Sequence, residues 1–283
     1  MFEGRKRVVF GTPINPTYLL DEIKNGSFCV SYFNRQKLGR QLDQVIDRVG
    51  ADEILLVDNG AFSAWRAGVE MDGDHWDGFL DWAADIAVRS PQAVIVIPDV
   101  IDGNAADNDN LMHEFMSNGG KISSDRMMPV WHMHETLDRL QSLLNVFQYI
   151  AIGSSGEFAK VGTPEWTARI EEAMAVVDAH EESGEYRPWI HMMRAQSQAA
   201  RFDFDSSDST NVAMNHNRYK KTGEGHVGRF AKRVAAPIEA SSTQVDRTDT
   251  PRQQSEFIES WNNEWVAQQQ LIWVELAHGS RGV

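Results

Sequence analysis

The sequence predicts an α/β protein of the (β/α)8 TIM-barrel type. Short β-prone apolar runs recur along the chain, each is followed by a longer amphipathic stretch, and neither an internal repeat nor a low-complexity linker divides them. Strands alternating with helices imply a parallel sheet covered by helices, because parallel neighbours need a long crossover. About eight such units closing on themselves make a barrel; a doubly wound open sheet is the alternative. At 283 residues the chain can bury a substantial core.

The β-prone runs are, in order, RVVF near Val8, FCVSYF near Val30, EILLV near Leu55 and AVIVIP near Ile95. MMPVW near Val130, YIAIG near Ile150, RPWIHMM near Ile190 and RFDF at Phe202 follow. Apolar residues at helical spacing mark Leu42–Val49, Trp76–Val88, Leu137–Val146 and Trp166–Ala179. Asp107 or Asn108 is placed to cap a further helix, and Thr163-Pro164-Glu165 reads as a helix start. Residues Ser241–Arg252 are polar and read as a loop, after which Phe257, Ile258, Trp261, Trp265, Ile272 and Leu276 suit a last amphipathic helix. The expected organisation is one barrel over 1–240, then a polar loop and a C-terminal helix packed on it over 241–283.

Composition narrows the function classes. No apolar run approaches the roughly 20 residues that span a bilayer, and the apolar part of MFEGRKRVVFG is too short for a signal peptide. Cys29 is the single cysteine, so neither an internal disulfide nor a cysteine-based zinc site is expected, and the expected setting is cytoplasmic. The net charge of −14, from 27 Lys and Arg against 41 Asp and Glu, disfavours general capture of phosphates. Arg218, Lys220, Lys221, Arg229, Lys232 and Arg233 nevertheless form a local basic strip, opposed only by Glu224. It reads either as a nucleic-acid contact or as a solvated loop.

A closed parallel barrel gathers the C-terminal ends of its strands on one face, where active sites form. Behind the successive runs stand Asn34, Asp58, Asp99 and Asp102, His132 and His134, Gly153-Ser154-Ser155-Gly156-Glu157, His191, and then Asp205 or Asp208. Convergence would make an acidic pocket able to bind a divalent cation, or to divide nucleophilic and acid–base roles at a sugar carbon. His132 and His134 would share one side of a strand, but without an HExxH pattern no metal site is expected. In VDNGAFSAW, Asp58 precedes small residues and then Phe62, a ring against which a flat ligand can stack. IAIGSSGEF offers backbone amides to a carbonyl or a phosphate. Asn215-His216-Asn217 resembles a fragment of the HNH nucleases, but the rest of that motif is missing and it reads as a loop.

Together and in this order, these strings resemble the tRNA-guanine transglycosylase superfamily, with queuine tRNA-ribosyltransferase-like enzymes among its members. The closer likeness is to its phage and bacterial 7-deazaguanine DNA transglycosylases. Asp58-Asn59-Gly60-Ala61-Phe62-Ser63 resembles the family's Asp-Ser-Gly-Gly-Phe/Tyr-Gln, and Ile97-Pro98-Asp99 the strand end whose aspartate reads the base. Ala151-Ile152-Gly153-Ser154 through Gly156-Glu157 resembles a shortened Gly-Gly-Leu-x-x-Gly-Glu without the Leu. Ser207-Asp208-Ser209-Thr210 resembles the nucleophile segment, which in the DNA branch reads much like Val-Asp-Ser-Thr. The likeness runs from about Val8 to Arg233. It departs from the tRNA enzymes at their Cys-x-Cys-x-x-Cys and His zinc site, which one cysteine cannot build, so the zinc subdomain is expected to be absent.

The resemblance implies exchange of guanine in DNA, rather than tRNA, for a 7-deazaguanine base such as 7-cyano-7-deazaguanine. It implies no cofactor, and a bacterial host's cytoplasm if the chain is phage-encoded. Asp208 would be the nucleophile, with Asp205 as the alternative because it follows a Phe as in the tRNA enzymes. Asp58 would manage the proton on the base. Phe62, with Met192 or Met193 opposite, would stack on the base, Asp99, Gly153 and Ser154 would read its edges, and His132 would contact the base edge or order Asp58. Arg218, Lys220, Lys221 and Arg229 would hold phosphates. Two rival classes are a carboxylate-based nucleoside or glycoside hydrolase, and an inactive nucleic-acid-binding relative.

Overall fold

The computed structural model describes residues 5–118, 120–217 and 225–242. Nine parallel strands form one sheet: β1 (Arg7–Gly11), β2 (Ser27–Ser31), β3 (Leu55–Asp58), β4 (Ala93–Val96), β5 (Met127–Met128), β6 (Val130–His132), β7 (Tyr149–Gly153), β8 (Trp189–Met192) and β9 (Ser206–Ser209). Their order is β5-β4-β3-β2-β1-β9-β8-β7-β6. β5 and β6 are one stave interrupted at Pro129, which has no N–H to give the ladder. The stave is still bonded on both sides, since Met128 C=O accepts from Ile97 N–H and Pro129 C=O from Ala151 N–H, each at 2.9 Å. The two ends of the sheet are thus one stretch of chain, and a TIM-type barrel results.

Side-chain alternation then sorts the residues. Val9, Ile54, Leu56, Val94, Val96, Val130 and Ala151 pack together inside the barrel. Val8, Phe10, Val30, Leu55, Val57, Ile95 and Ile190, one residue out of phase, join the larger layer between sheet and helices. Carried to the upper strand ends, the inward phase delivers Ser31, Asp58, His132, Gly153, Met193 and Asp208. The lower end is closed by Arg7, whose guanidinium donates to Asp52 C=O (3.0 Å) and lies 3.6 Å from Glu53. Ser27 also donates to that carboxylate at 2.6 Å.

The helices are α1 (Arg35–Leu38), α2 (Gln41–Arg48), α3 (Ala61–Ala67), α4 (Gly73–Arg89), α5 (Ala105–Asn118), α6 (Leu137–Val146), α7 (Pro164–Glu182), α8 (Asn211–Asn215) and α9 (His226–Glu239). At α7 the expected start holds, with Pro164 in the first turn and Thr163 Oγ1 accepting from Trp166 N–H at 3.2 Å. At α5 the cap lies earlier than expected. Asn104 and Asp107 accept reciprocally from each other's backbone N–H, at 3.1 and 2.9 Å. Asn108 instead points inward, its Oδ1 accepting from Val100 N–H at 2.7 Å.

Two further expectations are corrected. RFDF is not the eighth stave. Phe202 and Phe204 pack in the loop below it, Phe202 against Trp166 (5.8 Å), while the strand is the serine-rich Ser206–Ser209. A short strand bonded to β1 and β8, with Ser206 and Asp208 facing inward, shows no hydrophobic alternation to read. The described part of the basic strip is a helix, not a loop. Val227, Phe230, Ala231, Ala235 and Ile238 are buried along α9, leaving Arg229, Lys232 and Arg233 exposed. The predicted C-terminal helix lies outside the described residues.

Candidate active site

A cavity of about 380 Å³ opens at the C-terminal ends of the strands. Asp58, Phe62, Asp99, His132, Gly153, Ser154, Met193 and Asp208 all line it, drawn together from six separate stretches of the sequence. Met192 is buried in the outer layer, and of the two methionines only Met193 lines the cavity. Asp205 does not belong to the site. It precedes β9 at the opposite end of that strand, where its Oδ2 accepts from Ile190 N–H at 2.7 Å. Arg229 is on α9 and does not line the cavity; Arg218, Lys220 and Lys221 lie outside the described residues.

The turn after β3 sets one wall. Gly60 has φ +86, and a Cβ there would fall 2.5 Å from Phe33 Cβ and 2.8 Å from Phe33 N, so both conformation and space require glycine. Asn59 is almost fully buried and bonds three ways: Nδ2 donates to Ile97 C=O (2.7 Å) and Asp99 Oδ1 (2.8 Å), and Oδ1 accepts from Ala61 N–H (2.7 Å). Asp99 meets His132 Nε2 through its other oxygen at 3.0 Å. The Asn59 hydrogen bond thus orients Asp99 before any ligand arrives, while the approach of His132 falls outside hydrogen-bond alignment. Both ring nitrogens of His132 are buried without a hydrogen-bond partner among the described residues, Nδ1 beside the bare Cα of Gly153. His134 stacks on His132 at 5.7 Å but directs its nitrogens to Ser155 Oγ (2.7 Å) and Gly103 C=O (2.9 Å).

The two carboxylates expected to do chemistry sit in opposite environments. Burial raises Asp58 to about 6; the neighbouring Asp208 and Asp99 charges add to the rise, while the Ser31 hydroxyl and Gly60 N–H oppose it. For Asp208 burial also acts upward, but His191, the Arg194 N–H and the Arg194 charge outweigh it and leave the carboxyl below its ordinary range. Arg194 N–H donates to Asp208 Oδ1 at 2.6 Å, and His191 Nε2 stands 3.4 Å from the same oxygen. At about pH 6 and a little below, Asp58 holds a proton while its neighbour Asp208 is an anion, the division an acid–nucleophile pair needs.

Arg194 is the principal feature missed in the sequence. It has φ +58, uncommon for a residue with a side chain, and its guanidinium carbon lies 3.3 Å from the centre of the Phe62 ring. Burial lowers its pKa from the usual arginine value, opposed by Asp208, Asp58 and Asp99 in turn. A charged residue directly behind RPWIHMM was the available signal, hidden because His191 seemed to end that run. Arg66 and Cys29 also line the cavity, and burial, with Asp58 and Asp208 nearby, pushes the Cys29 thiol well up.

No protein-family model matches the chain, and no curated protein matches it. Among solved structures, one described as "Structural study of Project ID from Aquifex aeolicus VF5" is similar over 85% of this chain and 94% of that chain, at 10% identity and a TM-score of 0.48. A likeness at that level carries nothing about chemistry.

Proposed function

We propose that the chain is a base-exchange transglycosylase that replaces guanine in a nucleic acid with a 7-deazaguanine base. The observation that carries this reading is the pair Asp58 and Asp208, lining one cavity with one carboxyl raised to about 6 and the other held below its usual range. Asp208 attacks C1′ of the target nucleotide as the C1′–N9 bond breaks and its electron pair leaves with the base. Asp58 gives the departing base a proton and later takes one from the incoming base. The covalent glycosyl–enzyme thus keeps the phosphodiester chain intact between bases.

The surrounding groups support a guanine-type ligand. Asp99, held by Asn59 and close to His132, offers acceptor lone pairs to adjacent ring and amino N–H groups, which adenine does not present together. Phe62 supplies a stacking ring from which an entering base displaces the Arg194 guanidinium, and the small Gly153 and Ser154 leave backbone near a base carbonyl. DNA is the proposed polymer: the single cysteine cannot build the zinc site of the tRNA enzymes. On a chain of net charge −14, Arg66 at the cavity and the exposed Lys37, which donates to the cavity-lining Asn34, supply positive charge for the flanking phosphates. A duplex target must be unstacked first, at a cost of about a few kcal/mol.

Incubation with labelled guanine and either DNA or tRNA tests the proposal. Label entering intact DNA, and displaced by 7-cyano-7-deazaguanine, is the expected result. Abasic sites without incorporation would mean hydrolysis, incorporation into tRNA alone would move the substrate, and binding without either would mean an inactive relative.

A further inference from the structure

Three buried polar residues behind the nucleophile have no role in the scheme above. Trp189 and His191 face inward from β8, and Ser206 faces inward from β9. Trp189 Nε1 lies 2.7 Å from Ser206 Oγ, and the same oxygen lies 2.7 Å from His191 Nδ1. His191 is completely buried, and its Nε2 stands 3.4 Å from Asp208 Oδ1, an approach short of hydrogen-bond alignment, with no hydrogen-bond partner for that nitrogen among the described residues.

The direction of each proton follows from the groups themselves. An indole nitrogen only donates, so Trp189 occupies a lone pair of Ser206. Ser206 Oγ keeps a second lone pair, but among the described residues its hydroxyl hydrogen has no acceptor within reach other than His191 Nδ1, and it is donated there. An imidazole that accepts at Nδ1 carries its proton at Nε2, facing the carboxylate. Oδ1 of Asp208 thereby meets two N–H groups, from His191 and from the backbone of Arg194, whereas Oδ2 is engaged by neither.

We propose that Trp189, Ser206 and His191 form a buried relay that fixes the Nε2–H tautomer of His191 against Oδ1 of Asp208 and leaves Oδ2 as the attacking atom. This rests on the reading of Asp208 as the nucleophile. Oδ2 forms the bond to C1′, the C1′–N9 bond breaks, and the departing base takes its electron pair and a proton from Asp58. Oδ1, held by its donors, becomes the carbonyl oxygen of the ester. When the incoming base attacks C1′, the ester bond breaks and the same donors receive the carboxylate charge as it returns. His191 is a positioning residue: it touches Asp208, not the sugar. The other charged or titratable groups facing Asp208 are Arg194 beyond β8, Asp58 on β3 and Cys29 on β2.

Two measurements test the relay. In adduct formation with DNA, His191→Leu should lower the maximal rate about ten- to a hundredfold with little change in KM, as expected for losing a hydrogen bond to a charged group. It should also move the acid limb of the pH profile upward. His191→Gln keeps an N–H near the Nε2 position and should restore that limb. An unmoved limb in His191→Leu, or equal damage in both variants, overturns the relay while leaving Asp208 as nucleophile. If His191→Leu fails to fold, Ser206→Ala, which keeps the imidazole, should move the limb the same way by less; no movement overturns the relay. The second readout needs no reaction. Nitrogen-15 imidazole spectra of the folded protein, with His191 assigned by its loss in His191→Gln, should show Nδ1 bare and Nε2 protonated, and the opposite tautomer rejects the relay. A wild-type protein that forms no adduct yet shows the expected tautomer would reject the transglycosylase reading alone.

Discussion

At Asp58 a single carboxyl links environment to rate and to stability. Its raised pKa of about 6 means that it is largely protonated below that pH and ionised above it. Adduct formation, which needs the acid form, should fall about tenfold per pH unit above 6. Release by an incoming base, which needs the anion, should fall below 6. Rapid-quench rates of the two half-reactions from pH 5 to 8 would check both, and parallel profiles would count against one residue serving both steps. Asp58→Asn should slow each half-reaction about a hundredfold to ten-thousandfold. The same shift has a stability consequence. The native state holds this proton from about 3.8 to 6, where the unfolded chain loses it, so stability falls as pH rises through that window. Asp58→Asn should therefore stabilise the protein at pH 7 by about 2–3 kcal/mol and have little effect at pH 4, as thermal melts at both values would show. Arg194 raises a different point. Its guanidinium covers the Phe62 face that a base would use, so Arg194→Ala should tighten binding of free guanine about two- to thirtyfold in calorimetric titration. Weaker binding would show instead that Arg194 recognises the base.

Among the elements, the turn after β3 and the β6–α6 connection hold the site in place. Gly60→Ala forces a side chain into φ +86 and against Phe33 backbone, and should cost about 1–3 kcal/mol in urea unfolding. Behind His132, the buried Glu135 accepts from His132 N–H (2.9 Å), Arg139 Nη1 (2.6 Å) and Asn108 Nδ2 (3.0 Å), tying β6, α5 and α6 together. Arg139→Met strands that carboxylate and should cost about 3–5 kcal/mol. Lys121→Met removes the exposed pair with Asp81 and should cost less than about 1 kcal/mol. Similar losses from both variants in urea unfolding would refute the distinction. None of this network is visible in the sequence as a pattern, because Asn108, Glu135 and Arg139 meet only after folding. The elements whose driving force is apolar burial were legible: α6 lies over Leu137–Val146 as its helical spacing predicts, and β7 over the YIAIG run. β9 was displaced because its stability comes from backbone pairing and inward polar groups, while the aromatic residues beside it drew the strand assignment toward Phe202.

For the whole molecule, closure of the barrel turns scattered strand-end residues into one cavity. That is why Asp58, Asp99, His132, Gly153 and Asp208 could be picked out from their places behind β-prone runs, and why Arg194 and His191 could not be given roles. The first depends on a positive-φ turn and the second on the buried contacts among Trp189, Ser206 and His191, both products of tertiary structure. Closure also separates the clustered aspartates, putting Asp208 at the cavity and Asp205 at the far end of β9. The central claim is a covalent bond from Asp208 to the sugar, and peptide mapping by mass spectrometry tests it most directly. Protein incubated with DNA without free base and quenched in acid should carry the nucleic-acid mass on the peptide containing Asp208. Asp205→Asn should retain that adduct if it folds, and Asp208→Asn should lack it while still folding. An adduct on any other peptide, or base exchange undiminished in Asp208→Asn, would contradict the account.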